Sequence, residues 1–483
     1  MAKIRTRFAP SPTGFMHVGN LRTALFEYLV AKSKGGTFVL RIEDTDRERY
    51  VEGAEDVIYS TLEKVGLAHD EGPDVGGEYG PYTQSKRKDL YKPYAQQLVK
   101  EGKAYYCFCT KERLDALRQD GFGGYDRHCR DLQESEIQRL LQEKMPYVIR
   151  QRMPKEGVTT FQDRVFGEIS TRNKEIEDQV LIKADGYPTY NFANVIDDYL
   201  MRITHVVRGS EYLTSTPKYS LLYEAFGWEV PEYIHLPLIM GRNEDGSVSK
   251  LSKRHGSTSF EGLIQEGYLP EAVTNYIALL GWSPKDNREL FTLRELTEVF
   301  SASGISKSPA IFDYDKLLWM NGEYIKAMSP EEFTKRAKPY YTEVFAEESK
   351  DTEVLRQILQ ARITKFSDIP ELIGFFKELP QYDRELYINK KSKTNLENSP
   401  QMLEAAVGVL ENVKDWTLDS IHDELIALAG RLEVKNGTLL WPVRIAAAGK
   451  TVTPGGAMEI LQLLGREEAL RRLRFGMRKL TTE

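Results

Sequence analysis

The chain has 483 residues, 41% hydrophobic and 29% charged, which excludes a disordered, collagen-like or disulfide-stapled protein. At roughly 100–200 residues per domain, about three domains are expected. Its 66 Lys and Arg against 72 Asp and Glu leave a net charge of −6, so any nucleic-acid surface must be a local basic patch. The opening MAKIRTRFAPSPTG lacks the apolar core of a signal peptide, and no apolar run approaches the roughly 20 residues of a membrane helix. Three cysteines in so long a chain suit a reducing compartment. The expectation is a cytoplasmic protein with no membrane partner.

Ile4, Thr6 and Phe8 alternate with Lys3, Arg5 and Arg7, the period of a strand. Pro10, Ser11, Pro12, Thr13 and Gly14 must form a loop. Leu21, Ala24, Leu25, Tyr28 and Leu29 then recur at helical spacing until Gly35 and Gly36. Residues 37–42 (TFVLRI) suit a buried strand, so the chain opens with a βαβ unit and a parallel sheet. Residues 107–187 hold all three cysteines and a glycine-rich piece at 121–124, and read as an inserted module. Strand-like apolar runs return at 203–208 and 234–240. From about residue 326 the pattern is helical, with Ser329-Pro330-Glu331-Glu332 and Ser399-Pro400 as helix starts. The predicted class is an α/β N-terminal half followed by an all-α C-terminal region.

Two segments carry chemistry. Pro10-Ser11-Pro12-Thr13-Gly14-Phe15-Met16-His17-Val18-Gly19-Asn20 lies between the first strand and the first helix. A helix N-terminus there offers free N–H groups and a positive dipole end to a phosphate. Ligands of open α/β sheets sit beyond the carboxyl ends of the strands. Gly14 and Gly19 permit close backbone approach. More than 200 residues later stands Ser249-Lys250-Leu251-Ser252-Lys253-Arg254, after the turn Gly241-Arg242-Asn243-Glu244-Asp245-Gly246. Its lysines can clamp a triphosphate from the other side. Alone, the first could be a structural Pro/Gly turn and the second a solvated basic loop.

Together the two resemble the paired signatures of class I aminoacyl-tRNA synthetases. Arg7-Phe8-Ala9-Pro10-Ser11-Pro12-Thr13-Gly14, Arg41-Ile42-Glu43-Asp44-Thr45-Asp46 and Asp185-Gly186-Tyr187-Pro188-Thr189-Tyr190-Asn191-Phe192-Ala193-Asn194 are similar to the bacterial glutamyl-tRNA synthetase family. The second signature reads K-L-S-K-R where the class-wide form is K-M-S-K-S. The resemblance implies a Rossmann-type parallel sheet split by an α/β insertion. It divides the chain into a first catalytic half (1–106), an acceptor-stem-binding insertion (107–187), a second catalytic half (188–255), a stem-contact region (256–325) and a helical anticodon-binding region of two subdomains (326–483).

The implied reaction joins L-glutamate to ATP, with Mg2+, as glutamyl-adenylate. The glutamyl group then passes to the 3′ end of tRNA-Glu. The first step is an in-line displacement that needs positioning and charge stabilisation more than proton transfer. By resemblance, His17, Gly19, Asn20, Lys250, Leu251, Ser252, Lys253 and Arg254 handle ATP, with Glu211 at the border and Ile239 near the adenine. Arg7 and Arg208 face the carboxylates, Tyr190 and Asn194 add hydrogen bonds, Glu43 and the Ala9 backbone take the ammonium, and Ser11 and Tyr212 adjoin them. Arg suits the task because its planar fork binds both carboxylate oxygens. A neutral glutamine would leave a buried cation unpaired, so no editing site is expected.

Cys107-x-Cys109 and Cys129 match a zinc position found in some family members, with Asp131 where the last ligand would be and His128 as the alternative. Three thiolates plus one N or O ligand make a sound tetrahedral set, while buried free thiols are the other reading. Arg444, Lys450 and the tail residues Arg466, Arg471, Arg472, Arg474, Arg478 and Lys479 are candidates for a basic anticodon surface. Arg362 occupies the position that reads the third anticodon base in enzymes selective for tRNA-Glu. The expected enzyme is thus discriminating and monomeric, the alternative being one that also charges tRNA-Gln. Glutaminyl-tRNA synthetases end in β-barrels, unlike the helical pattern here, and a short glutamyl-queuosine-forming paralogue would lack residues 326–483. A non-catalytic RNA-binding relic would be expected to have lost His17, Gly19, Lys250 and Lys253. A dehydrogenase would need G-x-G-x-x-G in the first βα turn. Lys253→Ala should slow adenylate formation by roughly 10²–10³-fold; near-normal pyrophosphate exchange would refute the assigned role.

Overall fold

The first ladder of the fold is short, parallel and buried. The computed structural model describes residues 3–45, 50–119, 124–345 and 351–481, without the side chains of Arg118 and Lys253. Asp46 and Gly121 to Gly123, named above in sequence motifs, lie outside the described residues. Strand β1 (Arg5–Phe8), helix α1 (Val18–Lys32) and strand β2 (Thr37–Leu40) form the expected βαβ unit, with Arg5 opposite Thr37 and Phe8 opposite Leu40. Gly36 is required where α1 returns to β2, because a Cβ there would lie 2.5 Å from the Ile4 carbonyl. The strand expected over 37–42 stops at Leu40. Arg41 leaves the ladder to enter a buried ion cluster, and Ile42 bridges to Thr83.

Helices α2 (Ala54–Lys64) and α3 (Lys88–Lys100) follow. The cysteine-bearing region holds β3 (Ala104–Cys107), α4 (Lys111–Gln119), α5 (Glu134–Gln142), β4 (Val148–Gln151), β5 (Val158–Asp163), β6 (Gly167–Arg172) and β7 (Val180–Ile182). β3, β4 and β7 form one antiparallel sheet. Next come α6 (Tyr190–Leu200), β8 (His205–Gly209), α7 (Thr216–Phe226) and β9 (Glu232–Leu236). β8 and β9 are parallel, and the antiparallel β5–β6 hairpin continues that sheet through Asp163 beside Tyr233. The Thr204 N–H donates to the Arg5 carbonyl at 3.0 Å, which sets β8 next to β1. The run 203–208 is therefore a strand as expected. The flanking α6 and α7 are additional, and their Phe192, Ile196 and Leu222 share a buried core with Ile149 and Leu181 of the β3–β4–β7 sheet.

A hairpin of β10 (Ile239–Arg242) and β11 (Val248–Lys250) follows, with Met240 opposite Lys250. Helices α8 (Phe260–Gln265), α9 (Pro270–Ala278) and α10 (Leu293–Val299), strand β12 (Ala310–Ile311) and helix α11 (Tyr314–Lys326) complete the run. The chain divides into two compact units, 1–314 and 315–483.

Among its described residues the second unit is helical, its one β-type pairing being the bridge between Asn389 and Thr394. Helix Pro330–Tyr341 begins as its sequence predicts, with the Ser329 side chain accepting from the Glu332 N–H. Helix Ser399–Leu410 starts one residue earlier than expected. Asn398 occupies the cap position and Ser399 is buried in the first turn, because Asn395 and Asn398 hold each other by reciprocal side-chain to backbone bonds. The basic tail is corrected at one position. Arg472 is not a surface residue but is 1% exposed, donating to the carbonyls of Phe375, Ala447 and Phe376 and to Glu468.

Candidate active site

His17 is the residue on which the site's backbone converges. It is the N-cap of α1, and its Nδ1 accepts from the Gly19 N–H at 3.0 Å. Nδ1 being an acceptor, Nε2 is the ring nitrogen left to donate. The same turn is stitched to the segment after the lysine hairpin. The Val18 N–H donates to the Thr258 carbonyl and the Phe260 N–H to the Met16 carbonyl, both at 2.9 Å, and His17 bridges to Ser259. Two segments more than 200 residues apart are thereby held edge to edge. Burial, and then the charge of Lys250, hold the His17 imidazole below its ordinary value.

Beside this seam opens a cavity of about 440 Å³. From the first loop and α1 it is lined by Arg7, Ala9, Ser11, His17, Gly19 and Asn20. From α6, β8 and the turn after it come Tyr190, Arg208, Glu211 and Tyr212. The hairpin contributes Ile239, Lys250 and Leu251. Thirteen of the predicted residues therefore share one hollow. Ser252 and Arg254 are not among its lining residues. The Ser252 N–H donates to His255 Nδ1, and Arg254 donates to Ser249 Oγ at 2.7 Å. The Lys253 side chain lies outside the described structure.

Both arginines are buried at the cavity wall, and they are held differently. Arg7 is 4% exposed; its Nη1 donates to Glu27 and its Nε to Asp198, each at 3.0 Å. No described residue bonds its Nη2. Arg208 is 6% exposed; its Nε donates to His235 Nε2 at 3.2 Å and its Nη2 to Thr216 Oγ1 at 2.9 Å. His235 is oriented by Asp163 at 2.7 Å, and burial lowers its basicity, so Arg208 meets a neutral acceptor. The Tyr212, Tyr219 and Tyr233 rings stand 5.4, 4.4 and 5.3 Å from the Arg208 guanidinium.

Glu43 and Asn194 do not line the cavity. They lie in the ion cluster beneath it. Glu43 Oε1 accepts from Arg41 at 2.9 Å and from Asn194 Nδ2 at 3.3 Å. Asp198 bridges Arg7 and Arg41, the latter at 2.7 Å. Burial opposes its charge, yet the two guanidiniums hold the Asp198 carboxyl below the usual range.

Sequence reasoning missed Arg22, which also lines the cavity. It donates from Nη1 to the Leu280 carbonyl at 3.1 Å and from Nη2 to the Pro237 carbonyl, clamping the chain on either side of the hairpin to α1. Burial lowers its guanidinium to about 10. A cation between Leu21 and the other buried positions of α1 is the signal that could have found it.

The sulfur atoms of Cys107, Cys109 and Cys129 lie within 4.8 Å of one another, a donor set that fits a structural zinc ion. Hydrogen bonding with Cys129, working against burial, draws the Cys107 thiol well down. The two fourth-ligand candidates stand outside this group. Asp131 pairs with Arg152 at 2.8 Å and with Lys155, and His128 is exposed. The thiols also belong to a small core with Tyr105 and Tyr125.

In the second unit, Arg362 donates to the Thr453 carbonyl at 3.3 Å and Arg444 to the Thr451 carbonyl at 2.8 Å. The Arg444 guanidinium lies 4.6 Å from the Trp441 ring centre. Both arginines therefore brace one loop, whose tip residue Val452 is 82% exposed.

A pH titration of the histidine ring nitrogens by NMR checks the seam. His17 should titrate below its usual 6.5, with Nε2 carrying the proton in the neutral form, and Lys250→Met should move it back up. An Nδ1-protonated ring, or no response to Lys250→Met, would contradict the geometry.

The profile described as tRNA synthetases class I (E and Q), catalytic domain, matches residues 3–319, and that of an anticodon binding domain matches 332–477. The chain is 58% identical to the glutamate–tRNA ligase of Clostridium novyi (strain NT) over 99% of its own length and 98% of the relative's. It is 57% identical to that of Clostridium kluyveri, over 100% and 99% of the two chains. The crystal structure of a glutamate tRNA ligase from Elizabethkingia meningosepticum in complex with its amino acid superposes with a TM-score of 0.91 at 36% identity, covering 99% of this chain and 100% of that one. With the catalytic and anticodon-binding regions both matched end to end, the chain belongs to the glutamate–tRNA ligase family of class I aminoacyl-tRNA synthetases.

Proposed function

We propose that this protein activates L-glutamate with ATP and Mg2+ and transfers the glutamyl group to the 3′ end of tRNA-Glu in the cytoplasm. The observation that carries this is one cavity lined at once by the α1 tip, by Lys250 and by Arg7 and Arg208. Phosphates rest against the donating Nε2 of His17 and the positive dipole end of α1, whose first N–H groups are already engaged by Thr258 and by His17. Lys250 and Lys253 stabilise the charge that gathers on departing pyrophosphate. Arg7 and Arg208 take the carboxylates, with Tyr190 and Ser11 adding hydrogen bonds and Asn194 acting from beneath through Glu43. Glu43 and the Ala9 carbonyl take the ammonium, which requires Glu43 to share its carboxylate with Arg41. Ile239 and Leu251 pack against the base, and Glu211 and Tyr212 close the border.

Zn2+ would be held by Cys107, Cys109 and Cys129, with Asp131 completing the set if it released Arg152. Such an ion would staple the inserted module and take no part in the reaction. About one equivalent of zinc in protein purified without chelator is expected; a metal-free protein would leave the three thiols as core residues alone.

Arg362 reads the third anticodon base, and the enzyme discriminates against tRNA-Gln. The exposed Arg362 side chain beside the 451–455 loop supports this reading, and Arg444 over Trp441 offers a stacking surface. The enzyme acts as a monomer.

Aminoacylation with radiolabelled glutamate tests the whole assignment. Charging of tRNA-Glu that depends on ATP and magnesium, with tRNA-Gln left uncharged, is expected. Efficient charging of both tRNAs would overturn the discrimination, and charging of neither would overturn the function. Arg7→Ala should raise the glutamate KM by about 10–100-fold and the ATP KM far less, the value of a charged hydrogen bond. Because Arg7→Ala strands two buried acids, Arg208→Lys supplies a parallel variant. Equal effects of both variants on the two KM values would count against the pocket.

A further inference from the structure

Beneath the cavity the charges do not balance. Arg7 and Arg41 are two cations; Asp198, Glu43 and Glu27 are three acids, and all five side chains are nearly or wholly buried. With the substrate carboxylate at Arg7 and its ammonium at Glu43 there are four acids on three cations, so one excess negative charge persists under the bound substrate. Removing that excess charge by protonation is far cheaper than burying it.

Glu27 is placed to take the proton. It projects from α1 and its Oε1 accepts from Arg7 Nη1 at 3.0 Å and from the Val207 N–H of β8 at 2.9 Å. Its Oε2 is buried with no partner. Glu43 also has an unpartnered Oε2, but its Oε1 is held by two nitrogens of Arg41 and by two amides. Glu27 meets a single guanidinium nitrogen and is the less firmly held anion.

We propose that Glu27 is a positioning residue for Arg7, a counter-charge that must be protonated for glutamate to bind. This rests on the reading of Arg7 as a carboxylate-binding residue. With Glu27 ionised, Arg7 is partly neutralised and receives an acid poorly. With Glu27 neutral, Arg7 keeps Asp198, which it shares with Arg41, and its free Nη2 faces the substrate with more of its charge. Glutamate affinity is then linked to pH, and ATP affinity is not.

The charged groups acting on Glu27 are Arg7 from β1 and Asp198 from α6, with Arg41 acting on both of those. From α7, Tyr223 faces Arg7 and Asp198 with its phenol kept neutral by burial. Of the helices packed on α1, α9 engages Tyr276 with the Asp313 N–H, and α10 pairs Arg294 with Glu298 and Glu295 with Thr292. Burial, opposed by Arg7, raises the Glu27 carboxyl to about 8. It is therefore mostly neutral at pH 7 and mostly ionised at pH 9.

The test is the KM for glutamate and for ATP in aminoacylation from pH 6.5 to 9.5, for the wild type and Glu27→Gln. The glutamine side chain can still accept from Arg7 and Val207 and cannot ionise. The wild-type glutamate KM should rise about tenfold from pH 7 to 9, as for a single group titrating near 8. The Glu27→Gln value should stay near the low-pH wild-type level, with the ATP KM alike in both. One shared pH profile would place the proton elsewhere, Glu43 included, and overturn the proposal. An Arg7→Lys variant separates the two readings: an unchanged glutamate KM there would refute the pocket itself. If Glu27→Gln does not fold, calorimetric titration of glutamate into the wild type at pH 8, in buffers of different ionisation enthalpy, decides. Uptake of up to about half a proton is expected, and no uptake overturns the proposal.

Discussion

The structure depends on keeping guanidinium groups buried at the wall of an open hollow. An unpaired buried cation is too costly to persist, so each such group must have partners that hold it without using it up. Asp198 does this for Arg7 and Arg41 together, at 3.0 and 2.7 Å. His235 and Thr216 do it for Arg208 with neutral acceptors, and Asp163 fixes His235. The two arginines thus differ in how much charge they show to a ligand, although both are Arg and both are buried. That difference lies in their surroundings, not in the residues that touch the cavity.

The second constraint is a seam of backbone bonds. His17, Val18 and Met16 pair with residues 258–260, so the α1 tip and the lysine hairpin cannot drift apart. Arg22 reinforces this from within by holding the carbonyls of Pro237 and Leu280. A phosphate chain needs donors on two sides at fixed separation. Here the separation is fixed by main-chain pairing, which side-chain motion does not disturb.

What could be read from the sequence follows from range. The βαβ start and helix Pro330–Tyr341 are local patterns, and the structure has them where alternation and capping place them. His17 and Lys250 were legible as a pair through the resemblance of two motifs to one family. The acids under Arg7 were not, because Glu27 is 20 residues away and Asp198 is 191 away, and neither sits in a pattern that announces a partner. The same blindness misassigned Arg472. In a run of basic tail residues it looks like its neighbours, but it binds carbonyls 97, 96 and 25 residues away. The end of β2 was read two residues late because Arg41 continues a β-rich run while its side chain answers to Asp198.

The most direct test is a crystal structure with a non-hydrolysable sulfamoyl analogue of glutamyl-adenylate. The account predicts that the analogue fills the 440 Å³ cavity, its sulfamoyl group at the Gly19 and His17 end and its side-chain carboxylate within hydrogen-bond distance of Arg7 or Arg208. An analogue seated elsewhere, or a carboxylate turned away from both guanidiniums while Arg7 stays bound only to Glu27 and Asp198, would contradict it.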